Sequence, residues 1–276
     1  MRVAAIGDNC IDVYERIGKK YPAGNVVDTG VNIRKLGIPV SVISTTGSDE
    51  NGAWMVETLT REGLDLSHFK VGDGQTAITY MDMDGLDRVH GDYVEGVLEN
   101  IVFDEEDIRF AAGHDLVHTA LWGKADYGFY SYHRERDEFI ESYLKDKVDR
   151  GMKAAVATFG DKGSLAYDGQ KFYEGGIYPA KLVNTVGAGD SFIAGFLYEI
   201  LMGSGIEACL DRGARVAGDK RGDPQAGGYG SGPLHRFCGG GSHGPGGGGG
   251  VGTRIRGSGA CGAEAAPIQT AFPSVG

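Results

Sequence analysis

Along the first third of the chain the apolar positions alternate between two periods. A short apolar run at residues 2–7, "RVAAIG", closes on glycine. After a charged stretch, Val27, Val31 and Leu36 share one face of a helix that Gly37 ends. Residues 39–47, "PVSVISTTG", then read as a strand and residues 51–63 as a helix. Strand and helix in turn predict an α/β protein built on a parallel sheet.

Residues 76–93 interrupt that rhythm. Two strand-like runs flank Asp84-Gly85, the signal of a hairpin, and such an insertion forms a lid or a small second sheet. The rhythm resumes with a helix at 104–112, a strand at 115–123, a helix within 134–150 and a strand at 153–160. Residues 162–176 predict another hairpin. The helix after Gly189 carries Phe192, Ile193, Phe196, Leu197, Ile200 and Leu201 on one face. One connection does not fit. About three residues separate the strand ending at Gly123 from the strand-like "YGFYS" at 127–131, whereas a parallel crossover needs a dozen or more. Either these strands are antiparallel neighbours or a whole unit is absent.

The 276 residues allow one large core with a small appendage. A net charge of −11 argues against general affinity for nucleic acid or anionic membranes. Four scattered cysteines without metal spacing predict reduced thiols. With no apolar run of signal or membrane length, the expectation is a soluble cytoplasmic protein. The charge changes sign near residue 212: residues 212–276 carry +4 and are about one-third glycine, while residues 1–211 carry −15. That composition predicts a domain over 1–212 followed by a basic tail over 213–276 that is disordered or non-native.

The chemistry concentrates in "LVNTVGAGDSFIAGF", residues 182–196. Gly187, Ala188 and Gly189 let backbone N–H groups converge on an anion, and the helix beginning there adds its positive dipole end. Asp190 stands beside that cradle, where the helix terminus favours its ionised form and it can take a proton from a hydroxyl.

This segment, with "GDNCID" near the N-terminus, Gly24-Asn25 and "TFGDKGS" at 158–164, resembles the ribokinase-like (phosphofructokinase-B type) sugar kinase family. The resemblance implies a three-layer α/β sandwich with a mostly parallel sheet and a small β lid from about 13–30 and 74–97. It makes Asp190 the catalytic base, and it sets Thr158, Gly160 and Gly163 beside ATP. Asp12, Gly24, Asn25 and Asp28 fall at the sugar, Asp28 standing where the family has Asn. Asp92, Tyr93 and Glu95 lie on the lid, where acids would meet a basic group such as the amine of an amino-acid conjugate. His118 and Trp122 read first as strand packing. The implied cofactors are ATP and magnesium, with Glu135 and Glu138 as the metal candidates, since the family's Asn-x-x-Glu element is not intact. The implied partners are a small sugar and a second copy through the lid. The resemblance also implies that a strand–helix unit of about 35 residues is missing at the short connection. Besides a kinase for a ketose amine, two readings stay open: a kinase for another ketose or nucleoside, and an impaired relative that only binds sugar.

Overall fold

The computed structural model describes residues 1–84, 87–119, 125–132, 134–179, 187–221 and 268–269. In chain order the strands are β1 (Val3–Ile6), β2 (Cys10–Tyr14), β3 (Lys19–Ala23), β4 (Val40–Gly47), β5 (Asp65–Gly72), β6 (Ile78–Asp84), β7 (Asp87–Val94), β8 (Leu116–Thr119), β9 (Tyr127–Ser131), β10 (Ala154–Thr158), β11 (Ser164–Tyr167), β12 (Phe172–Gly175) and β13 (Ile268–Gln269). The helices are α1 (Asn25–Lys35), α2 (Glu50–Arg61), α3 (Glu105–Ala112), α4 (Glu138–Asp149), α5 (Ala188–Leu201) and α6 (Ile206–Arg221).

The predicted α/β sandwich is present. One parallel sheet has the order β13-β8-β1-β4-β5, and a second has the order β12-β11-β10-β9, with β9 and β10 parallel. Alternation along β1 sends Val3 and Ala5 to the core under α1, α2, α5 and α6, and Ala4 and Ile6 to the core under α3. On the second sheet Phe129 and Val156 join the first of these cores, while Ala155 and Ala157 face α4. One apolar layer therefore runs across both sheets.

β8 and β9 are the strands with the short connection, and they lie in different sheets. They are not antiparallel neighbours. Ile268–Gln269 pairs with β8 at the edge facing β9. The break in the sheet falls where the short connection predicts a missing unit.

Two expected boundaries are corrected. The lid is a sheet of order β3-β2-β6-β7, so it begins at β2, and residues 25–30 belong to α1, whose Val26, Val27 and Val31 are core residues. Nor does the fold stop at residue 212. α6 runs to Arg221, with Val216 and Ala217 buried. A Cβ on Gly195 of α5 would lie 2.7 Å from the Arg212 carbonyl oxygen, and one on Gly213 would lie 2.9 Å from the Phe192 ring. The two helices cross backbone to backbone, which only glycine allows. Most of the remaining tail, and Trp122, lie outside the described residues.

At the far edge β5 is pinned to α3 by a buried carboxylate. Asp107 accepts from Lys70 Nζ at 2.6 Å and pairs with His68 Nδ1 at 2.9 Å. Asp107 also closes a capping box with Asp104.

We expect truncation after Arg212 to cost about 3 kcal/mol or more, since it strips Val216 and Ala217 from the core and uncovers Phe192. Urea unfolding of the truncated and full chains measures the difference; equal midpoints would mean that α6 is dispensable beyond the charge boundary.

Candidate active site

The site begins with a glycine. Gly24 has φ +127°, and a Cβ there would lie 2.7 Å from Asn9 Cα. Only glycine lets the chain leave β3, pass the β1–β2 connection and enter α1. Asn25, the first residue of α1, donates from Nδ2 to Asp190 Oδ1 at 2.6 Å. Two turns further on, Asn32 Nδ2 donates to Ser191 Oγ at 3.2 Å, and that hydroxyl donates to the Gly187 carbonyl at 2.7 Å. The two asparagines thus fasten α1 to the first turn of α5.

Gly187 takes φ +70° as the N-cap of α5, and no side chain caps the helix there. Ala188, Gly189 and Asp190 follow as its first turn, so an acid and a helix N-terminus share one mouth. Asn184, Thr185 and Val186 of the same motif lie outside the described residues.

The lid register lines up one face of the small sheet. Tyr21 pairs with Asp12, Asp12 with Thr79, and Thr79 with Tyr93, so these four share one face of the lid sheet. Thr79 Oγ1 donates to Cys10 Sγ at 3.3 Å, and Cys10 Sγ donates to Asp12 Oδ1 at 3.5 Å. Burial pushes the Cys10 thiol well above its ordinary range, and the charges of Asp12, Asp8 and Asp28 add to it. Burial also pushes the Tyr93 phenol up to about 12, with Cys10, Asp8 and Glu95 adding. Asp8, Asp12, Asp28 and Glu95 therefore concentrate negative charge around Cys10 and Tyr93.

Asp8 is a residue that sequence reasoning missed. Burial raises its carboxyl, while the backbone amides of Val26 and Asn25 hold it down in part. It sits beyond the carboxyl end of β1, the position where parallel sheets present ligand-binding groups, and that was the available signal.

Asp92 is corrected. β7 carries a bulge between the pairs at Thr79 and Met81, which leaves Asp92 exposed and puts Tyr93 on the face of Asp12. Glu95 is exposed at the end of β7. The metal candidates are also corrected. Glu135 pairs with Lys162 Nζ at 2.9 Å and is largely exposed, and Glu138 is exposed at the start of α4. Among the described residues no group of three acids, histidines or cysteines could hold a metal ion.

Thr158, Gly160 and Gly163 come together at the carboxyl end of β10. Gly163 has φ +94°, and a Cβ there would lie 2.3 Å from the Gly175 carbonyl oxygen. The segment after Gly175 walls a cavity of about 210 Å³ with Leu210, Asp211 and Ala214 of α6.

Known proteins show the same organisation. The model of pfkB family carbohydrate kinase matches residues 118–227. The chain is 33% identical to the fructoselysine 6-kinase of Escherichia coli over 248 residues, covering 78% of this chain and 95% of that protein. The chain belongs to the pfkB family of carbohydrate kinases. It is also 28% identical to the fructosamine kinase FrlD of Bacillus subtilis, over 83% of this chain and 94% of that one. Among solved structures, Arabidopsis thaliana ribokinase with ribose and ATP aligns with a TM-score of 0.68 at 19% identity, covering 79% of this chain and 91% of that one. An ATP-dependent sugar kinase is therefore the enzyme class. No helix among the described residues is long and apolar enough to cross a membrane. The 248-residue match draws on only 78% of this kinase's chain, so roughly thirty aligned positions have no counterpart here, close to the length of the expected missing unit.

His118 of this kinase is 0% exposed, neither ring nitrogen has a hydrogen-bond partner, and burial lowers its pKa to about 4. The folded state then binds fewer protons than the unfolded state between pH 6.5 and 4. Stability contributed by the neutral ring is present above pH 6.5 and lost as pH falls through that window, by about 3 kcal/mol in all. We expect urea midpoints to fall from pH 7 to pH 4.5, and to fall less in His118→Leu; identical slopes in the two proteins would contradict the assignment.

Proposed function

We propose that this kinase transfers the γ-phosphoryl group of ATP to the terminal hydroxyl of a fructosamine, converting fructoselysine to fructoselysine 6-phosphate. The observation that carries the reading is the 2.6 Å bond from Asn25 to Asp190. It puts the sugar-side Gly24-Asn25 turn in contact with the carboxylate beside the anion cradle, so one substrate hydroxyl can meet base and phosphoryl group together.

Asp190 takes the proton of the C6 hydroxyl as that oxygen attacks the γ-phosphorus in line. The bond to the β,γ-bridging oxygen breaks, ADP leaves, and the proton stays on Asp190 until product departs. The amides at Gly187, Ala188 and Gly189 face the charge on the transferring group. Asp12 and Asp28 accept sugar hydroxyls. The acids around Tyr93 favour a cationic substrate, which is why the lysine conjugate is preferred to a neutral ketose or nucleoside, and the names of two relatives agree with that choice. Magnesium bound to the phosphates of ATP would offset their charge; Glu135 and Glu138 do not fit as its ligands. Thr158, Gly160 and Gly163 and the cavity beside α6 lie on the nucleotide side.

The break between β8 and β9 favours a second reading, in which the chain binds sugar without transferring phosphate.

We expect ADP release to depend on fructoselysine and Asp190→Asn to lower kcat about 10²–10⁴-fold. Fructose should give a kcat/KM about 10–100-fold lower, the worth of a charge-assisted contact to the missing amine. A sugar-induced rise in melting temperature without ADP release would replace the kinase reading with the binding one.

A further inference from the structure

The side chain left without a role by this assignment is Tyr93. Its ring is 50% exposed, near the end of β7, the edge strand of the lid sheet. A single exposed ring is ordinary, but this one is aimed by the backbone. On β6 the paired residues Thr79 and Met81 are two apart, whereas their partners Tyr93 and His90 on β7 are three apart. The extra residue is the bulge. Gly91 lies inside it, where a Cβ would lie 3.1 Å from the Tyr80 carbonyl oxygen. Regular alternation from the Met81–His90 pair would set Asp92 opposite Thr79. The bulge sets Tyr93 there instead and leaves Asp92 exposed.

That face carries the acid that the proposed function gives to the sugar. Thr79 pairs in turn with Asp12, and the contacts of Cys10 Sγ with Thr79 Oγ1 and with Asp12 Oδ1 tie the three together on one side of the sheet. Two strand spacings, about 10 Å, separate Asp12 from Tyr93 across the sheet. A bare ketose held by Asp12 does not span that gap, and a ketose carrying a lysine arm does. A tyrosine ring suits such an arm: methylenes pack on its face, and an ammonium group over the face gains a cation–π attraction. Burial, then the charges of Cys10, Asp8 and Glu95, keep the phenol protonated, so a neutral ring stands in negative surroundings.

We propose that Tyr93 is a specificity-determining residue: its ring receives the amino-acid arm of the substrate while Asp12 holds the sugar. The inference rests on the reading of the substrate as a fructosamine. Tyr93 takes no part in phosphoryl transfer.

The test measures kcat/KM for fructoselysine and for fructose in wild type, Tyr93→Ala, Tyr93→Phe and Asp92→Asn. In Tyr93→Ala the value for fructoselysine should fall about tenfold, while that for fructose stays within about twofold. Tyr93→Phe keeps the ring and should stay close to wild type on both substrates, as should Asp92→Asn. An unchanged preference in Tyr93→Ala overturns the proposal, and so does an equal loss on both substrates, the mark of a damaged lid. A loss in Asp92→Asn as large as that in Tyr93→Ala also overturns it, since charge on the lid rather than the ring would then decide. Should Tyr93→Ala fail to fold, Tyr93→Leu decides by the same criteria. If wild type binds fructoselysine without releasing ADP, the kinase reading fails alone, and dissociation constants from calorimetry make the same comparison. If wild type does not prefer fructoselysine to fructose, the substrate reading fails and this inference falls with it.

Discussion

One hydrogen bond between two helix N-termini organises this molecule. Asn25 opens α1, Asp190 lies in the first turn of α5, and 165 residues separate them in sequence. Everything that aims either residue has to be right for the bond to form. Gly24 must pass Asn9 at a distance no side chain permits, and α5 must be held at its depth by a crossing with α6 that depends on Gly195 and Gly213. The Asn32–Ser191 contact repeats the attachment two turns along α1, which removes the freedom of α1 to pivot about the first bond.

The acids around this bond are tolerated because each has a different environment. Asp12 accepts from the Cys10 thiol two residues before it on the same strand, and Asp8 is offset by amides at the start of α1. Their mutual repulsion lies between a lid and a sheet. Under the proposed function, a cationic substrate there would lower that repulsion.

The βα rhythm was legible because a buried parallel sheet imposes its periods strongly, and β1, α1, β4, α2 and α5 fall where the pattern puts them. β2, β3 and β5 were not legible. β2 and β3 alternate with charges in a small sheet, and β5 is an edge strand carrying Asp65, His68 and Lys70. Composition misled at residue 212 for a physical reason: Gly213 and Gly218 are there for close packing on Phe192 and Tyr178, and glycine used for packing cannot be told by count from glycine used for flexibility. At the site, Asp190 was readable from a local motif. Its partner Asn25 was named for the sugar, but their contact is non-local and no spacing encodes it. The bulge in β7 was not legible, because a bulge moves a side chain to the other face without changing the sequence pattern on either side.

The break between the two sheets changes how the halves of the site are aligned. In an unbroken sheet a hydrogen-bond ladder fixes neighbouring strands in whole-residue steps, so relative placement is quantised. Here β1 lies in one sheet and β10, with the Thr158–Gly163 turn at its end, in the other, and the two are joined through one apolar core in which Phe129 of β9 and Val156 of β10 pack with Phe192 and Phe196 of α5 and with α1. Packed helices slide by fractions of an ångström. The spacing of the two sheets is thus a continuous function of side-chain volume in an apolar layer, and under the proposed function a methyl group removed there would be felt as chemistry as well as stability.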